Sequence, residues 1–323
     1  MLASFKRGKS MQFNENSIVK VGRQRRSHNS IKMWDRIFLV TMLALPITIF
    51  LCGWIFVNFN SVLMAFQTTS GEWSMESFET VIKNITSTNK QELFSITLAL
   101  KNTGLWFLKD VLMLPFQLLI AYFLYKKISG YRFFQVMFYL PAIISGVAMA
   151  NLFSRLVSPV GPLGELCQMM NIKLPILLGD PKYVMPTLLI YSFWLGWGGN
   201  MLLLGGALAR IPTEVLESAR LDGAGAFLEF TQFIVPLVWS TMSTIFILSM
   251  TVIFASSGPV LLFFPEGQNR TATMGFWIYY KVKQGGPSAY NEVAATGVLL
   301  TLIAVPVVMF VRWLLDKVPA VDY

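Results

Sequence analysis

Residues 214–230 read EVLESARLDGAGAFLEF, a short acidic segment that lies between two long apolar stretches of the chain. Pro212 discourages continuation of the preceding apolar helix, and Thr213 is a suitable N-cap residue for a new one. Glu214 and Glu217 would then occupy the first turn, where the helix dipole favours negative charge. The pattern predicts a separate short helix at this point of the chain.

The predicted helix covers residues 214–221, which makes it about 12 Å long and far too short to cross a bilayer. Gly223 and Gly225 end it. Ala219 and Gly223 lie one turn apart, and together with Ser218 they give one face little side-chain bulk. Another protein can approach such a face closely. An ordinary connecting loop with one turn of helix fits the same pattern.

The composition indicates a membrane protein, because hydrophobic residues make up 54% of the 323-residue chain and charged residues only 13%. Soluble domains average about 25% charged residues. Six apolar runs approach the bilayer-spanning length of about 20 residues. They cover residues 37–59, 104–125, 134–156, 185–207, 233–255 and 293–314. The predicted fold class is therefore all-α, a polytopic membrane protein with six transmembrane helices and a short cytoplasmic helix.

Two of the predicted spans are interrupted, the third by Pro141 and the fourth by the pair Gly198-Gly199. Such breaks require other protein or a water-filled cavity to satisfy the freed backbone groups. We therefore expect these two spans to face protein or a pathway.

The distribution of positive charge predicts the orientation of the spans. Of the 26 Lys and Arg residues, sixteen fall on the side that holds both termini, nine fall on the opposite side, and Lys109 lies within a span. The positive-inside rule then places both termini and the segment 214–230 in the cytoplasm. The basic tail lacks aromatic interleaving, so we expect it to contact anionic lipid and no nucleic acid.

The sequence carries no constellation for catalysis or metal binding. It has no P-loop, no Ser/His/Asp set and no cluster of metal ligands, and its single histidine is His28 in the tail. Cys52 and Cys167 are predicted in a span and in an outer loop, which argues against a disulfide. We therefore predict a non-catalytic subunit that binds no cofactor or metal.

The order of residues from Glu217 to Pro236 resembles the EAA signature of ABC importer permeases. That signature reads Glu-Ala-Ala, three residues, Gly, nine residues, and then Ile-x-Leu-Pro. Glu217, Ala219, Gly223 and Pro236 match it at the same spacing. Ser218 stands where the family has its first alanine, Phe233 where it has the isoleucine and Val235 where it has the leucine. The Asp-Gly-Ala of residues 222–224 is similar to the sequence found in the sugar-transporting branch.

The resemblance covers residues 98–314 and includes segments such as GYRFFQVMFYLPAIISGVAMANLF and FWLGWGGNMLLLGGALARIP. It implies a type I ABC importer permease fold. It also implies a division of the chain into a basic cytoplasmic tail (1–35), a first span with an outer loop (36–97), a permease core of five spans (98–314) with its EAA loop (211–236), and a cytoplasmic tail (315–323).

The resemblance also implies the partners. Related permeases work in the bacterial plasma membrane as a heterodimer with a sister permease, together with two cytoplasmic ATPase subunits that use ATP and Mg and an extracytoplasmic solute-binding protein. The outer loops would face the binding protein, and the short helix would dock in the ATPase. The residues that would form this joint are Glu214, Glu217, Ser218, Ala219, Arg220, Asp222, Gly223 and Pro236.

The segment YSFWLGWGGN, residues 191–200, combines hydrogen-bonding groups, aromatic faces and glycines, as recognition of a sugar requires. We predict a pathway for a carbohydrate, most simply an oligosaccharide. Its candidate residues are Ser192, Trp194, Gly196, Gly199 and Asn200 of the fourth span, with Ser249 and Ser256 on one face of the fifth. Close helix packing, an interfacial aromatic belt and hydrogen bonds between helices explain the same residues.

Lys109 and Asp110 are predicted about 8–9 Å from the outer end of the second span, which we place at residue 104. At that depth a lysine can extend its ammonium group to the interface. We therefore expect the pair at the interface and do not expect it to form a proton relay.

Other transport classes stay open on the residues alone. An ABC permease for a non-sugar solute would share the short helix. An ion-coupled secondary transporter would have no use for that helix and would be expected to show inverted repeats, which are not evident. A membrane-embedded enzyme would need catalytic groups that the sequence does not present.

Overall fold

The computed structural model describes residues 33–86, 95–266 and 270–318. The chain divides into two compact units between Asn58 and Phe59. The basic tail up to residue 32, with its predicted lipid contact, and the last five residues lie outside the described ranges.

The described ranges are helical, and their only β-pairing is an isolated bridge between Gln67 and Trp73. This confirms the all-α prediction. The α-helices are α1 (Met33–Ile49), α2 (Val57–Ala65), α3 (Glu76–Thr86), α4 (Ile96–Tyr125), α5 (Tyr131–Ile143), α6 (Gly146–Leu156), α7 (Pro162–Met169), α8 (Pro181–Leu195), α9 (Trp197–Leu208), α10 (Thr213–Leu221), α11 (Ala226–Leu228), α12 (Val235–Thr251), α13 (Val260–Phe263), α14 (Met274–Gly285) and α15 (Tyr290–Leu315). π-Helical turns occupy Phe50–Phe56 and Glu229–Ile234, and a 3₁₀ turn occupies Gly286–Ala289.

Helices of membrane-spanning length recur along the described ranges. Four helical stretches are long and apolar enough to cross a bilayer, and the number rises to six if each of two bent pairs forms one span. The four are Phe38–Ala65, Ile96–Tyr125, Pro181–Leu208 and Met274–Leu315. The bent pairs join Tyr131–Ile143 to Gly146–Leu156 and Ala226–Leu237 to Trp239–Thr251. Their order along the chain follows that of the six predicted spans, as expected for a multi-pass membrane protein.

The second span begins earlier than predicted. α4 starts at Ile96, eight residues before position 104, and the Ser95 hydroxyl caps it by accepting a backbone N–H of the first turn at 3.2 Å. The side chain of Asn102 donates to the carbonyls of Arg270 and Ala272, both at 2.9 Å. Because these bonds satisfy its amide, Asn102 is buried although Thr97 and Lys101 nearby on α4 are exposed.

The third span breaks near the predicted proline but not at it. The chain bends by 108° between α5 and α6, at residues 144–145, whereas Pro141 lies inside α5. A second bend of 66° lies between Leu237 and Trp239. The bundle therefore contains two sharp changes of helix direction.

The interruption of the fourth span lies at Gly196 and not at Gly198-Gly199, which continue within α9. Gln117 of α4 donates to the Gly196 carbonyl at 2.7 Å and so satisfies a backbone group near the break. Gly198 has a different role. A Cβ atom there would lie 2.7 Å from the Ala142 Cβ and 2.8 Å from the Phe138 carbonyl oxygen, so this glycine permits α5 and α9 to touch.

Two buried apolar clusters hold the second unit together. One combines residues of α2, α3, α4, α14 and α15, including Trp277. The other combines α4, α9, α10 and α12 and includes Leu208, Leu216 and Val238. Since Leu216 belongs to α10, the short helix packs directly on the long helices.

Candidate functional site

The predicted short helix is present as α10 and presents a charged face to the surroundings. Glu214, Glu217, Ser218, Arg220 and Asp222 are exposed. The N-terminus differs from the prediction by one residue. Thr213, expected as the N-cap, is the first helical residue, and no side chain caps this end.

Ala219 faces the long helices and not a partner, which corrects the prediction of one small-residue face. Its exposed fraction is 2%, and Leu216 at 3% lies on the same buried side. Gly223 is exposed beyond the helix end, and Leu221 is 89% exposed. The small alanine therefore lets α10 approach its own bundle. The surface left for a partner consists of the acidic side chains, Leu221 and Gly223.

Gly223 ends α10 in a Schellman motif. Its φ is +86°, the left-handed conformation that glycine adopts without strain. The Gly223 N–H donates to the Arg220 carbonyl at 3.0 Å, and the Ala224 N–H donates to the Ala219 carbonyl at 2.9 Å. These two bonds satisfy carbonyls that a helix end would leave unpaired. The left-handed conformation at this helix end therefore explains why the EAA-like sequence has a glycine at position 223.

Glu229 is the functional candidate that the sequence reasoning missed. Its side chain is 1% exposed and accepts three hydrogen bonds. Tyr122 Oη donates to Oε1 at 3.0 Å, Lys126 Nζ lies 2.9 Å from Oε2, and Arg220 Nε lies 3.2 Å from Oε2. Arg220 belongs to α10, Tyr122 lies in the last turn of α4, and Lys126 is the residue that follows α4. The carboxylate therefore joins the short helix to a long one. We call these four residues the Glu229 cluster.

The charge state of the cluster follows from its contacts. Burial lowers the pKa of the Lys126 ammonium, but the contacts with Tyr122 and Glu229 outweigh it and leave the pKa above its ordinary value. The hydrogen bond and charge of Glu229 raise the pKa of Arg220 as well. Two cations therefore share one buried carboxylate, which makes the loss of that carboxylate costly.

Pro236, the last matching residue of the EAA-like sequence, lies in the first turn of α12. It follows the π-helical turn Glu229–Ile234, and the helix is continuous there because the Val235 N–H donates to the Phe230 carbonyl. That turn carries the buried carboxylate of Glu229. Pro236 therefore lies on the helix that follows the Glu229 cluster.

Three of the predicted pathway residues line one cavity of about 150 Å³. Ser192 of α8, Ser249 of α12 and Ser256 of the following loop meet there, although they come from two different predicted spans. Trp106 and Thr273 are among the other residues of the wall. The structure therefore brings these serines together.

Lys109 and Asp110 line this cavity, whereas we predicted that the lysine extends its ammonium group outward to the interface. Because α4 begins at Ile96, Lys109 is the fourteenth of thirty helical residues and lies about 20 Å from the helix start. Lys109 Nζ donates to Ser192 Oγ at 2.9 Å and lies 2.6 Å from Asp110 Oδ1. Its side chain is only 15% exposed, so it points into the protein.

The remaining candidates of the fourth span do not line this cavity. Asn200 donates to Gln117 Oε1 at 3.1 Å and so joins α9 to α4 next to Gly196. Trp194 is 36% exposed and stacks on Phe153 with ring centroids 6.2 Å apart. Gly199 is exposed and has open space around it. Asn200 and Gly196 thus have partners that explain them as packing residues.

In the described ranges, no group of three or more His, Cys, Asp or Glu side chains lies close enough together to hold a metal ion. The polar groups of the cavity are hydroxyls, one ammonium, one carboxylate and an indole. These groups can form hydrogen bonds.

Curated relatives of the chain are sugar permeases. The chain is 24% identical over 216 residues to the alpha-glucoside transport system permease protein AglF of Rhizobium meliloti (strain 1021), covering 65% of this chain and 64% of that protein. It is 26% identical over 196 residues to the maltodextrin transport system permease protein MdxF of Bacillus subtilis (strain 168), covering 55% and 44%. The chain thus spans about half to two thirds of the length of these relatives. No family model matches it.

Solved structures show the same fold. One chain of a bacterial ABC transporter involved in the import of the acidic polysaccharide alginate superposes with a TM-score of 0.74 at 21% identity, covering 88% of this chain and 96% of that one. The same type of transporter in complex with a periplasmic protein bound to alginate pentasaccharide gives a TM-score of 0.71 at 21% identity, covering 85% and 93%. The chain therefore has the fold of an ABC importer permease. Its homologues are permease components of sugar ABC transporters.

Proposed function

We propose that this chain is a non-catalytic permease subunit of an ABC importer and forms half of the membrane pathway for a carbohydrate. The observation that carries the proposal is α10, an exposed charged helix fixed to the long helix α4 by the buried carboxylate of Glu229. A force applied to α10 from outside the membrane reaches α4 through this contact and through Leu216 in the shared core.

The external force comes from partners in this proposal. Two ATPase subunits that use ATP and Mg engage the acidic side chains of α10 in the cytoplasm, together with Leu221 and Gly223. A sister permease supplies the other half of the pathway. An extracytoplasmic solute-binding protein delivers the sugar, as the structural relative bound to a periplasmic protein supports. Both termini lie in the cytoplasm of a bacterial cell, which the positive-inside count supports.

Carbohydrate is the favoured cargo for two reasons. The relatives are named for transport of alpha-glucosides and maltodextrins, and the structural relative for import of alginate. The cavity formed by α4, α8 and α12 also presents several hydrogen-bonding groups beside an aromatic ring. The maltodextrin and alginate relatives favour an oligosaccharide.

The test is purification of the tagged full-length chain from its native membranes with the subunits that accompany it. After reconstitution into proteoliposomes, we expect sugar uptake that depends on ATP and on the binding protein. Glu217→Lys and Gly223→Trp should insert and pair with the sister permease but retain less ATPase, and uptake should fall in proportion.

A charge reversal on the predicted outer side, Glu76→Lys, is the control because Glu76, like Glu217, is an exposed acid on a helix. It should leave ATPase retention unchanged. Native ATPase retention and normal uptake in both α10 variants would contradict the proposal. Purification without any ATP-hydrolysing subunit would contradict it as well.

A further inference from the structure

A groove follows α12 and α15 and is separate from the cavity that Lys109 lines. It consists of a cavity of about 430 Å³ and a second cavity of about 440 Å³, each with walls from both helices. Leu248 and Arg312 line the first cavity, and Thr251 and Val308 line the second. Residues three or four positions apart are neighbours on one face of a helix. The two cavities therefore follow each other along the same pair of helices.

The 440 Å³ part of the groove has an apolar surface, because aliphatic and aromatic side chains make up most of its wall. Its two threonines donate within their own helices. Thr251 Oγ1 donates to the Leu248 carbonyl, and Thr301 Oγ1 donates to the Gly297 carbonyl, both at 2.8 Å. Since these hydroxyl protons are already used, this part of the groove favours contact with a hydrocarbon.

The 430 Å³ part of the groove is polar and carries one charge of each sign. Arg312 Nε lies 3.7 Å from Asp316 Oδ2, and their side chains are 69% and 66% exposed. An ion pair this exposed is weak, so each group can take the opposite charge of a ligand. The Ser240 side chain is exposed beside them, and Trp239 Nε1 donates to the Leu315 carbonyl at 3.2 Å. That bond joins α12 to the end of α15.

The order of the two parts matches the depth of one leaflet. The positive-inside count places the end of α15 near Arg312 on the cytoplasmic side. Thr301, in the apolar part, lies about 16 Å along the helix from Arg312. One leaflet contributes about 15 Å, half of the hydrocarbon core. A charged end followed by an apolar groove of this length has the polarity and the dimensions of a phospholipid.

We infer that this groove binds one phosphatidylethanolamine of the cytoplasmic leaflet, with an acyl chain in the apolar part and the headgroup between Arg312 and Asp316. The phosphate takes the guanidinium, and the ammonium takes the carboxylate at the helix end, where the dipole favours a cation. Phosphatidylcholine has no N–H to donate, and phosphatidylglycerol has no cation for Asp316. The inference goes beyond the proposed function, because it depends on neither the cargo nor the ATPase.

The test is native mass spectrometry of the tagged full-length chain, purified in detergent with the subunits that accompany it. The complex is titrated separately with dioleoyl phosphatidylethanolamine, phosphatidylcholine and phosphatidylglycerol. Phosphatidylethanolamine should bind about 2–5-fold more tightly than either of the others, as expected for ion pairs with exposed groups. Equal binding of the three lipids would overturn the inference.

Two valines of α15 test the acyl-chain part of the groove. Val305 and Val307 are 49% and 47% exposed, but only Val305 lines the groove. Val305→Phe fills the groove and should weaken binding of all three lipids about threefold or more, whereas Val307→Phe should leave it unchanged. Equal effects of the two variants would overturn the inference. Loss of an accompanying subunit from Val305→Phe, with lipid binding unchanged, would show that a protein helix fills the groove and would overturn it as well.

The headgroup contacts are tested by neutral variants of the two charged residues. Arg312→Gln should abolish the preference for phosphatidylethanolamine over phosphatidylcholine. Asp316→Asn leaves Arg312 without its counter-charge, so phosphatidylglycerol should then bind at least as tightly as phosphatidylethanolamine. Lys317→Gln is the control, because Lys317 Nζ lies 3.4 Å from the centre of the Trp313 ring and does not line the groove. An unchanged lipid preference in both Arg312→Gln and Asp316→Asn would overturn the assignment of the headgroup. None of these outcomes depends on ATPase retention or sugar uptake, which test the proposed function separately.

Discussion

Arg220 Nε lies 3.2 Å from Glu229 Oε2, although the Arg220 side chain is 52% exposed and that of Glu229 is 1% exposed. The contact therefore runs from the surface helix to a buried acid. Lys126 at the end of α4 binds the same oxygen at 2.9 Å. One carboxylate oxygen thus connects the surface that we assign to the ATPase with the helix that carries Lys109.

Replacement of Glu229 should be the most damaging change in the Glu229 cluster. Glu229→Gln keeps the side-chain size but leaves Lys126 and Arg220 without their counter-charge. Breaking a buried pair costs about 3–5 kcal/mol, and we expect about 2–3 kcal/mol because both cations retain some access to solvent. Thermal unfolding of the detergent-solubilised chain measures this cost.

The control is Arg220→Gln, which removes only the half-exposed partner and should cost about 1 kcal/mol or less. In the assembled importer, Glu229→Gln should retain ATPase on the intact α10 surface and yet transport poorly for each ATP hydrolysed. Equal destabilisation by the two variants, or full transport by Glu229→Gln, would show that the cluster does not connect the helices.

Gly223 should tolerate asparagine better than alanine. With φ at +86°, a non-glycine residue adds about 1–2 kcal/mol of backbone strain, and asparagine adopts this conformation more readily than alanine does. A Cβ atom there would meet nothing within 4 Å, so steric overlap within the chain contributes no cost. Melting temperatures should therefore fall more in Gly223→Ala than in Gly223→Asn, despite the smaller side chain.

Gly225→Ala is the control for this pair, because Gly225 has a φ of −70° and open space for a Cβ atom. Its melting temperature should equal that of the unaltered chain. If Gly223→Ala were as stable as Gly225→Ala, the Schellman motif would not explain the glycine.

Gly198 and Gly199 form a second matched pair. Gly198→Ala would place its Cβ 2.7 Å from the Ala142 Cβ and should cost about 1–3 kcal/mol through overpacking. Gly199→Ala meets open space and should be neutral in the isolated chain. A loss of sugar uptake in Gly199→Ala at normal stability would favour the pathway role that we predict for this residue, and unchanged uptake would argue against it.

The orientation of the spans is tested by single cysteines. After replacement of the free thiols Cys52 and Cys167 by serine, Glu76→Cys and Gln168→Cys should react with an impermeant maleimide added from outside intact cells. Asp222→Cys should react only after the membrane is opened. The reverse pattern would place α10 on the outer side and remove the argument for ATPase coupling.

Local signals in the sequence were sufficient to predict the helical class, the six apolar segments and the short helix. The Schellman glycine and the acidic first turn of α10 are set by residues within a few positions of each other. A membrane span is likewise recognised from the length of its apolar run, without knowledge of the residues it contacts. These features are therefore readable from one sequence.

The errors at Lys109 and Glu229 depend on contacts between distant segments, whereas the error at Thr213 is a local one of a single residue. Position 102 was predicted outside the second span, but α4 begins at Ile96 and the carbonyls of Arg270 and Ala272 satisfy the Asn102 amide, so Lys109 lies near the middle of the helix. The partners of Glu229 on α4 are more than 100 positions away, at Tyr122 and Lys126. The only local signal for Glu229 was an acid placed at the start of an apolar run.

The segment that connects α10 to the next long helix has a length that the contacts at its two ends fix. Arg220 and Glu229 are nine positions apart, and the Schellman bonds of Gly223 and Ala224 already fix the first part of that distance. One added residue in this interval would turn the acid away from α4 by roughly 100° about its helix axis, because a helix has 3.6 residues per turn. The number of residues between Arg220 and Glu229 therefore matters in addition to their identity, and an insertion would separate α10 from α4 even where every side chain was kept.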